Sequence, residues 1–293
     1  METRASKRRR LTDELENIKP NINVDDKTAV IKKKNLKTPK TEIKTELILY
    51  EPSLEQLSSP DILDMKSLIR YFDGDDPQTF MDHCRKYMNS TLMSIVEEAT
   101  IQQADTPIWH QMRLGRITAS RIHQASRCKT KNGSLVDSIM GKKSGWSFAM
   151  QRGTDLEDRV FAVLKKELAS EKLRQCGIFL DANLPHLAAS PDGIAENFVV
   201  EIKCPATPKT HAEYLTVETL NPKYYGQIQL QMHITQRKKA LLGVADLNFE
   251  RNKKVTKVWI EYDEDYVKEL IDDANSFWTE AVFPKLLKFK TKY

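Results

Sequence analysis

Residues 190–205, SPDGIAENFVVEIKCP, constrain this chain more than any other stretch. Phe198, Val199, Val200, Ile202 and Cys204 make it apolar and β-prone, so it reads as a buried strand, yet Glu201 and Lys203 interrupt it. Side chains two apart on a strand point the same way. Val200, Ile202 and Cys204 therefore face one layer, while Val199, Glu201 and Lys203 face the other. Asp192 lies in the Ser-Pro-Asp-Gly turn just before, and a turn with Pro and Gly around an Asp can fold it back beside Glu201. Two neighbouring carboxylates repel, and burying either costs several kcal/mol unless a cation is close. A divalent metal is the natural partner.

The arrangement Pro191-Asp192 followed by Glu201-Ile202-Lys203 resembles the PD-(D/E)XK nuclease motif. Such triplets also arise by chance. The competing reading is a surface hairpin with a solvated Glu–Lys pair, worth about 0 to 1 kcal/mol. The rest of the chain decides between the two.

The 293 residues suffice for one large domain or two small ones. The net charge is +5, and residues 1–50 hold 13 basic against 8 acidic side chains, so the whole excess lies there. Net charge thus says nothing of what the remainder binds; a nucleic-acid face must come from local clusters of Lys and Arg. Cys84, Cys128, Cys176 and Cys204 form no C-x-x-C, which argues against a zinc site or disulfide scaffold and for a reducing, intracellular setting. No run approaches the ~18 apolar residues of a membrane span, and the basic N-terminus has no apolar core of a secretion signal.

Residues 1–50 lack periodicity and read as a disordered basic arm. Its compact cluster Lys7-Arg8-Arg9-Arg10, with Lys32-Lys33-Lys34 further on, reads as a nuclear import signal or phosphate binder; a solubilising tail is the alternative. Residues 51–105 form a helical prelude: Ile62, Met65, Leu68 and Ile69 recur at helical spacing after Asp61, a candidate cap, and further helices fit 77–88 and 92–101. The third unit is residues 106–293.

Within it, 109–117 reads as a loop feeding a helix that Thr118 caps. The helix start, the Ser120 hydroxyl, Arg113 and Arg116 make an anion site in outline, or an ordinary capped helix with solvated arginines. Residues 127–145 read as a basic loop, and 147–170 as a helix with a core stripe of Leu156, Val160, Leu164 and Leu168. Glu157 at the edge of that stripe needs a partner: a metal site or a salt bridge. A three-stranded meander follows (177–180, 187–190, 198–204), then helices 208–217 and 222–235, strands 239–246 and 255–262, and a helix 266–282 ending near Pro284. On the helix 222–235, Gln227 and Gln231 share one face.

From about Trp109 to Trp278 the chain resembles the phage-type 5′→3′ exonucleases, the lambda exonuclease and YqaJ viral recombinase family. Four blocks carry the resemblance in order: W-H-x-x-R-L-G-x-I-T-A-S at 109–120, Gly153 to Glu157, S-P-D-G with E-x-K-C-P at 190–205, and Gln227-x-Gln229. It implies an α/β fold with a restriction-endonuclease-like PD-(D/E)XK core, a mixed central sheet flanked by helices. It also implies that Asp192, Glu201, the main-chain carbonyl of Ile202 and, for a second ion, Glu157 bind Mg²⁺ or Mn²⁺, with Lys203 orienting or activating the attacking water. Hard oxygen ligands suit Mg²⁺. Arg113 and Ser120 match the family's pocket for a terminal 5′-phosphate, with Ser190 and Gln227 lining the site.

The expectation is a metal-dependent deoxyribonuclease, a 5′→3′ exonuclease acting on double-stranded DNA ends in recombination or repair. A catalytically silent DNA-end-binding adaptor on the same fold, or a structure-specific endonuclease, are the alternatives. A homo-oligomer is compatible with the resemblance. The arm and the prelude depart from the compact phage enzyme, so its ring-shaped trimers are not carried over.

Overall fold

The structure, a computed structural model, describes residues 59–142 and 148–290 together with positions 52 and 145. The basic arm, with Lys7–Arg10 and Lys32–Lys34, lies outside the described residues, as do Lys143 and Ser147.

A four-stranded sheet positions the stretch 190–205. Strands β4 (Gly193–Ile194), β5 (Phe198–Lys203), β6 (Lys239–Ala245) and β7 (Val255–Glu261) lie in that order. The β5–β6 pair is parallel, with Glu201 opposite Leu242, and both flanking pairs are antiparallel. The two faces of β5 separate as its period of two requires. Val200 and Ile202 join Leu156, Val160 and Leu164 of helix α7 (Phe148–Glu167) in one core cluster. Val199 joins Ile228 and Met232 of helix α9 (Pro222–Thr235) in another. Glu201 and Lys203, on the Val199 side, are thereby carried toward α9.

The anticipated meander breaks at Ser190. Strands β1 (Ile117–Thr118), β3 (Leu187–Ala189) and β2 (Phe179–Leu180) form a separate three-stranded sheet in the order β1-β3-β2. Pro191 has no N–H for a ladder and its carbonyl is engaged by Gln103 and Cys176, so the chain leaves one sheet before Asp192 joins the other.

The prelude holds α1 (Met65–Arg70), α2 (Pro77–Tyr87) and α3 (Ser90–Ala99). Asp64, not Asp61, caps α1, accepting from the N–H groups of Lys66 and Ser67, while Ser59 caps the 3-10 turn Pro60–Leu63. These helices share one large core with the C-terminal helices: the Phe80 ring stacks 6.2 Å from Trp278 and lies 5.5 Å from Phe283.

Four further expectations are corrected. Residues 107–113 are helical (α4, Pro107–Arg113), since Pro107 sits at the first turn where its missing N–H is harmless. The loop 127–145 contains α6 (Ser134–Ile139), beyond α5 (Ala119–Arg127). The helix expected over 208–217 stops early, as α8 (Pro208–Ala212) with a Thr207–Thr210 capping box. After the short α10 (Phe249–Asn252) and α11 (Glu264–Phe277), the chain makes a π turn (Trp278–Val282) and continues as α12 (Phe283–Lys290). Pro284 does not end the helix, because the π turn closes the preceding segment and leaves Pro284 in the first turn of the next. No helix among the described residues is long and apolar enough to cross a membrane.

Candidate active site

The Ser-Pro-Asp-Gly turn returns Asp192 to the end of β5. The Asp192 N–H donates to the Val200 carbonyl at 3.0 Å, and Asp192 Oδ2 accepts from the Ile202 N–H at 2.6 Å. Glu201 is buried, 4% exposed, and three donors converge on it. Gln227 Nε2 donates to Oε1 and Gln231 Nε2 to Oε2, each at 2.6 Å, and Lys203 Nζ pairs with Oε1. The spacing of four residues on α9 puts both amides on one face, so the helix presents a two-pronged donor to the carboxylate. Lys203 also lies 5.1 Å from the centre of the Tyr224 ring.

These groups open onto a cleft of about 620 Å³, lined by Glu157, Asp192, Glu201, Ile202, Lys203, Tyr214 and Tyr224, and by Gln102 to Asp105 at its rim. Burial, together with the charges of Glu201 and Glu157, holds the Asp192 carboxyl well above the usual carboxylate range, against the opposing pull of Lys203. Burial alone would lower the Lys203 ammonium, but Glu201 and Asp192 outweigh it and hold it above its ordinary value. Burial, then the charges of Glu157 and Asp192, push the Cys204 thiol up to about 12, so it is no nucleophile here.

The donor set fits a hard divalent cation by its chemistry: carboxylate oxygens from Asp192, Glu201 and Glu157 surround one cleft, where burial and then the like charges on Glu201 and Glu157 raise the Asp192 carboxyl. Among the described residues, however, no group of three or more His, Cys, Asp or Glu is gathered closely enough to hold a metal ion. Glu201 is turned instead toward its protein donors.

A second group of residues stands one turn away. The Arg113 guanidinium lies 3.9 Å over the Trp109 ring, and Trp109 Nε1 donates to Ser190 Oγ at 3.0 Å. Ser190 is joined through Pro191 to Asp192, so the two groups share a backbone segment. Burial, then the nearby charge of Arg121, lowers Arg113 to about 10, which leaves it a cation at neutral pH.

The YqaJ-like viral recombinase domain matches residues 108–238, the span that holds both groups. Among solved structures, an alkaline exonuclease (LHK-Exo) from Laribacter hongkongensis is 28% identical, with 64% of this chain and 97% of that one covered and a TM-score of 0.52. The same exonuclease in complex with dAMP is 29% identical over the same shares, also with a TM-score of 0.52. No curated protein matches. The fold is of the PD-(D/E)XK type, a mixed α/β core of the kind these exonucleases share.

Within residues 108–238, the structure brings Asp192, Glu201, Lys203, Ile202 and Glu157 to one cleft, and puts Gln227 on Glu201. Ser120 lies at the start of α5, where its hydroxyl meets that of Thr118 at 3.2 Å. Thr118 occupies the N-cap position without making a side-chain cap bond. Arg116 does not belong to an anion site: it is wholly buried and donates to the carbonyls of Pro185, Met112 and Leu63 at 2.8, 2.7 and 2.5 Å. Three residues that contact these groups were given no role from the sequence. Gln231 was signalled by its spacing from Gln227, and Trp109 by its place four residues before Arg113, one helical turn away. Gln103 carried no sequence signal.

Proposed function

We propose that this chain is a divalent-metal-dependent deoxyribonuclease that hydrolyses phosphodiester bonds from the 5′-phosphorylated ends of duplex DNA, working 5′→3′ in recombination or repair. The convergence of Asp192, Glu201 and Lys203 in one cleft within a YqaJ-like domain is the observation that supports it. The likeness to an alkaline exonuclease solved with a deoxyribonucleotide supports DNA as the substrate class.

Asp192, Glu201 and the Ile202 carbonyl would hold one Mg²⁺ or Mn²⁺, with Glu157 completing a place for a second. When bound, such ions offset charge on the scissile phosphate and favour ionised water near neutral pH. Lys203 would orient the attacking water beside the phosphate, and its raised affinity for a proton suits it to act as a cationic donor rather than as a base. Gln227 and Gln231 hold Glu201 in place. Arg113, with Ser120 and Ser190, would receive the terminal phosphate, and recognition through phosphates carries little sequence preference. The cluster Lys7–Arg10 would direct the protein to the nucleus.

A second reading is a silent end-binding adaptor, favoured by the three protein donors that already engage Glu201 and by the spread of the carboxylates. Incubating 5′-labelled linear duplex with Mg²⁺ or EDTA separates them. Mg²⁺-dependent release of mononucleotides that Asp192→Ala abolishes supports the nuclease, whereas binding without release, tolerant of Glu201→Ala, supports the adaptor. Cleavage of covalently closed circles would indicate an endonuclease instead.

A further inference from the structure

The end of the helical prelude touches the turn that carries Asp192. At the C-terminus of α3, Glu97 is buried against Arg174, which donates to it at 2.8 and 3.3 Å, and Glu97 Oε1 also accepts from the Gly177 N–H at 3.1 Å. Thr100 Oγ1 accepts from the Ile178 N–H at 2.8 Å. The approach is so close that a Cβ on Gly177 would come within 2.0 Å of the Glu97 carbonyl oxygen, which excludes any other residue there.

One turn later Gln103 has φ +45°, the left-handed region that a side chain other than Gly or Asn enters only under constraint. Its backbone is pinned on both sides, by its own N–H to the Thr100 carbonyl at 2.7 Å and by the Thr106 N–H to its carbonyl at 2.9 Å. This aims the side-chain amide at two carbonyls from different strands of chain: Nε2 donates to Pro191 O at 2.9 Å and to Cys176 O at 3.1 Å. Both amide hydrogens are thereby used.

The Pro191 carbonyl and the Asp192 N–H belong to one peptide plane. Gln103 holds the carbonyl end, assisted by the Cys176 thiol at 3.2 Å, while Val200 O holds the N–H end at 3.0 Å. A planar peptide fixed at both ends cannot rotate, and its orientation sets the direction in which Asp192 projects its carboxylate into the cleft. We propose that Gln103 is a positioning residue for Asp192, and that the prelude is thus a working part of the site. Its catalytic consequence rests on the nuclease reading; its structural consequence does not.

The test compares the full-length wild-type chain with Gln103→Gly, which keeps a left-handed backbone without steric cost and removes only the amide, and with Gln103→Ala. Hydrogen–deuterium exchange reads the Asp192 and Ile202 amides. Both should exchange at least tenfold faster in Gln103→Gly, while the β6 amides from Ala240 to Val244 stay within twofold. On 5′-labelled duplex the same variant should lose about tenfold in kcat with KM for ends within twofold, and should need more Mn²⁺ for half-maximal rate. Exchange at Asp192 and Ile202 within twofold of wild type overturns the proposal, as does acceleration spread evenly over β6, or an unchanged kcat. A wild-type chain that digests nothing overturns the nuclease reading alone, and exchange still decides whether Gln103 holds the turn.

Discussion

Glu201 receives three donors and Asp192 one backbone N–H, so the two acids of this cleft are built to different ends. Asp192 carries the larger electrostatic burden, since burial and then the charges of Glu201 and Glu157 hold its carboxyl above the ordinary range. In the metal-free protein the folded state therefore keeps a proton that the unfolded chain releases. Stability falls as pH climbs from the unfolded carboxylate value through the raised folded one. Asp192→Asn keeps an acceptor for the Ile202 N–H and removes this loss. In EDTA the variant should melt above wild type at pH 8, with the gap closing toward pH 4; a gap that ignores pH contradicts the electrostatic account. Arg113 makes a narrower case. Stacked on Trp109, it is a cation held in place before any anion arrives. Arg113→Ala should bring the rate ratio for 5′-phosphorylated over 5′-hydroxyl ends to about one, and Trp109→Ala should lower it in the same direction; rates measured on paired substrates decide this.

The elements divide by how locally they are encoded. Strand β5 and its two faces were legible because a period of two allots Val200 and Ile202 to one layer and Glu201 to the other, and burial follows that allotment. Helix α9 was legible for the same kind of reason, and its three glutamines show how far spacing carries. Gln227 and Gln231 reach Glu201, whereas Gln229 turns away, donating to Glu261 O at 2.8 Å and accepting from the Asp263 N–H at 2.9 Å. What spacing could not give was any feature decided by a distant carbonyl. The break at Ser190, the reach of the Gln103 amide and the buried Arg116 each depend on partners 50 or more residues away, and no local pattern announces them. Helix α9 supports a prediction of its own. Gln231→Leu leaves Glu201 Oε2 without its donor, so unfolding by urea should show a loss of about 1–3 kcal/mol; an unchanged midpoint would mean that the amide contributes nothing.

At the scale of the molecule, the helices before residue 100 and those from residue 264 on close over one core, joined where Phe80 stacks on Trp278 and tilts against Phe283. Phe80→Ala should cost about 3–5 kcal/mol in chemical denaturation. A fragment of residues 106–293, stripped of Phe80 and the rest of the prelude's share of that core, should lack a cooperative melt by circular dichroism. A sharp transition in that fragment would show the prelude to be a separate unit. In the cleft that this core supports, the proposed chemistry has Asp192, Glu201 and Lys203 acting together on a phosphodiester. Digestion of duplex DNA labelled at its 5′ ends tests it most directly. Mg²⁺-dependent release of labelled mononucleotide, absent in EDTA and lost in Asp192→Ala, is the expected result; no release with Mg²⁺, or undiminished release by the variant, would contradict it.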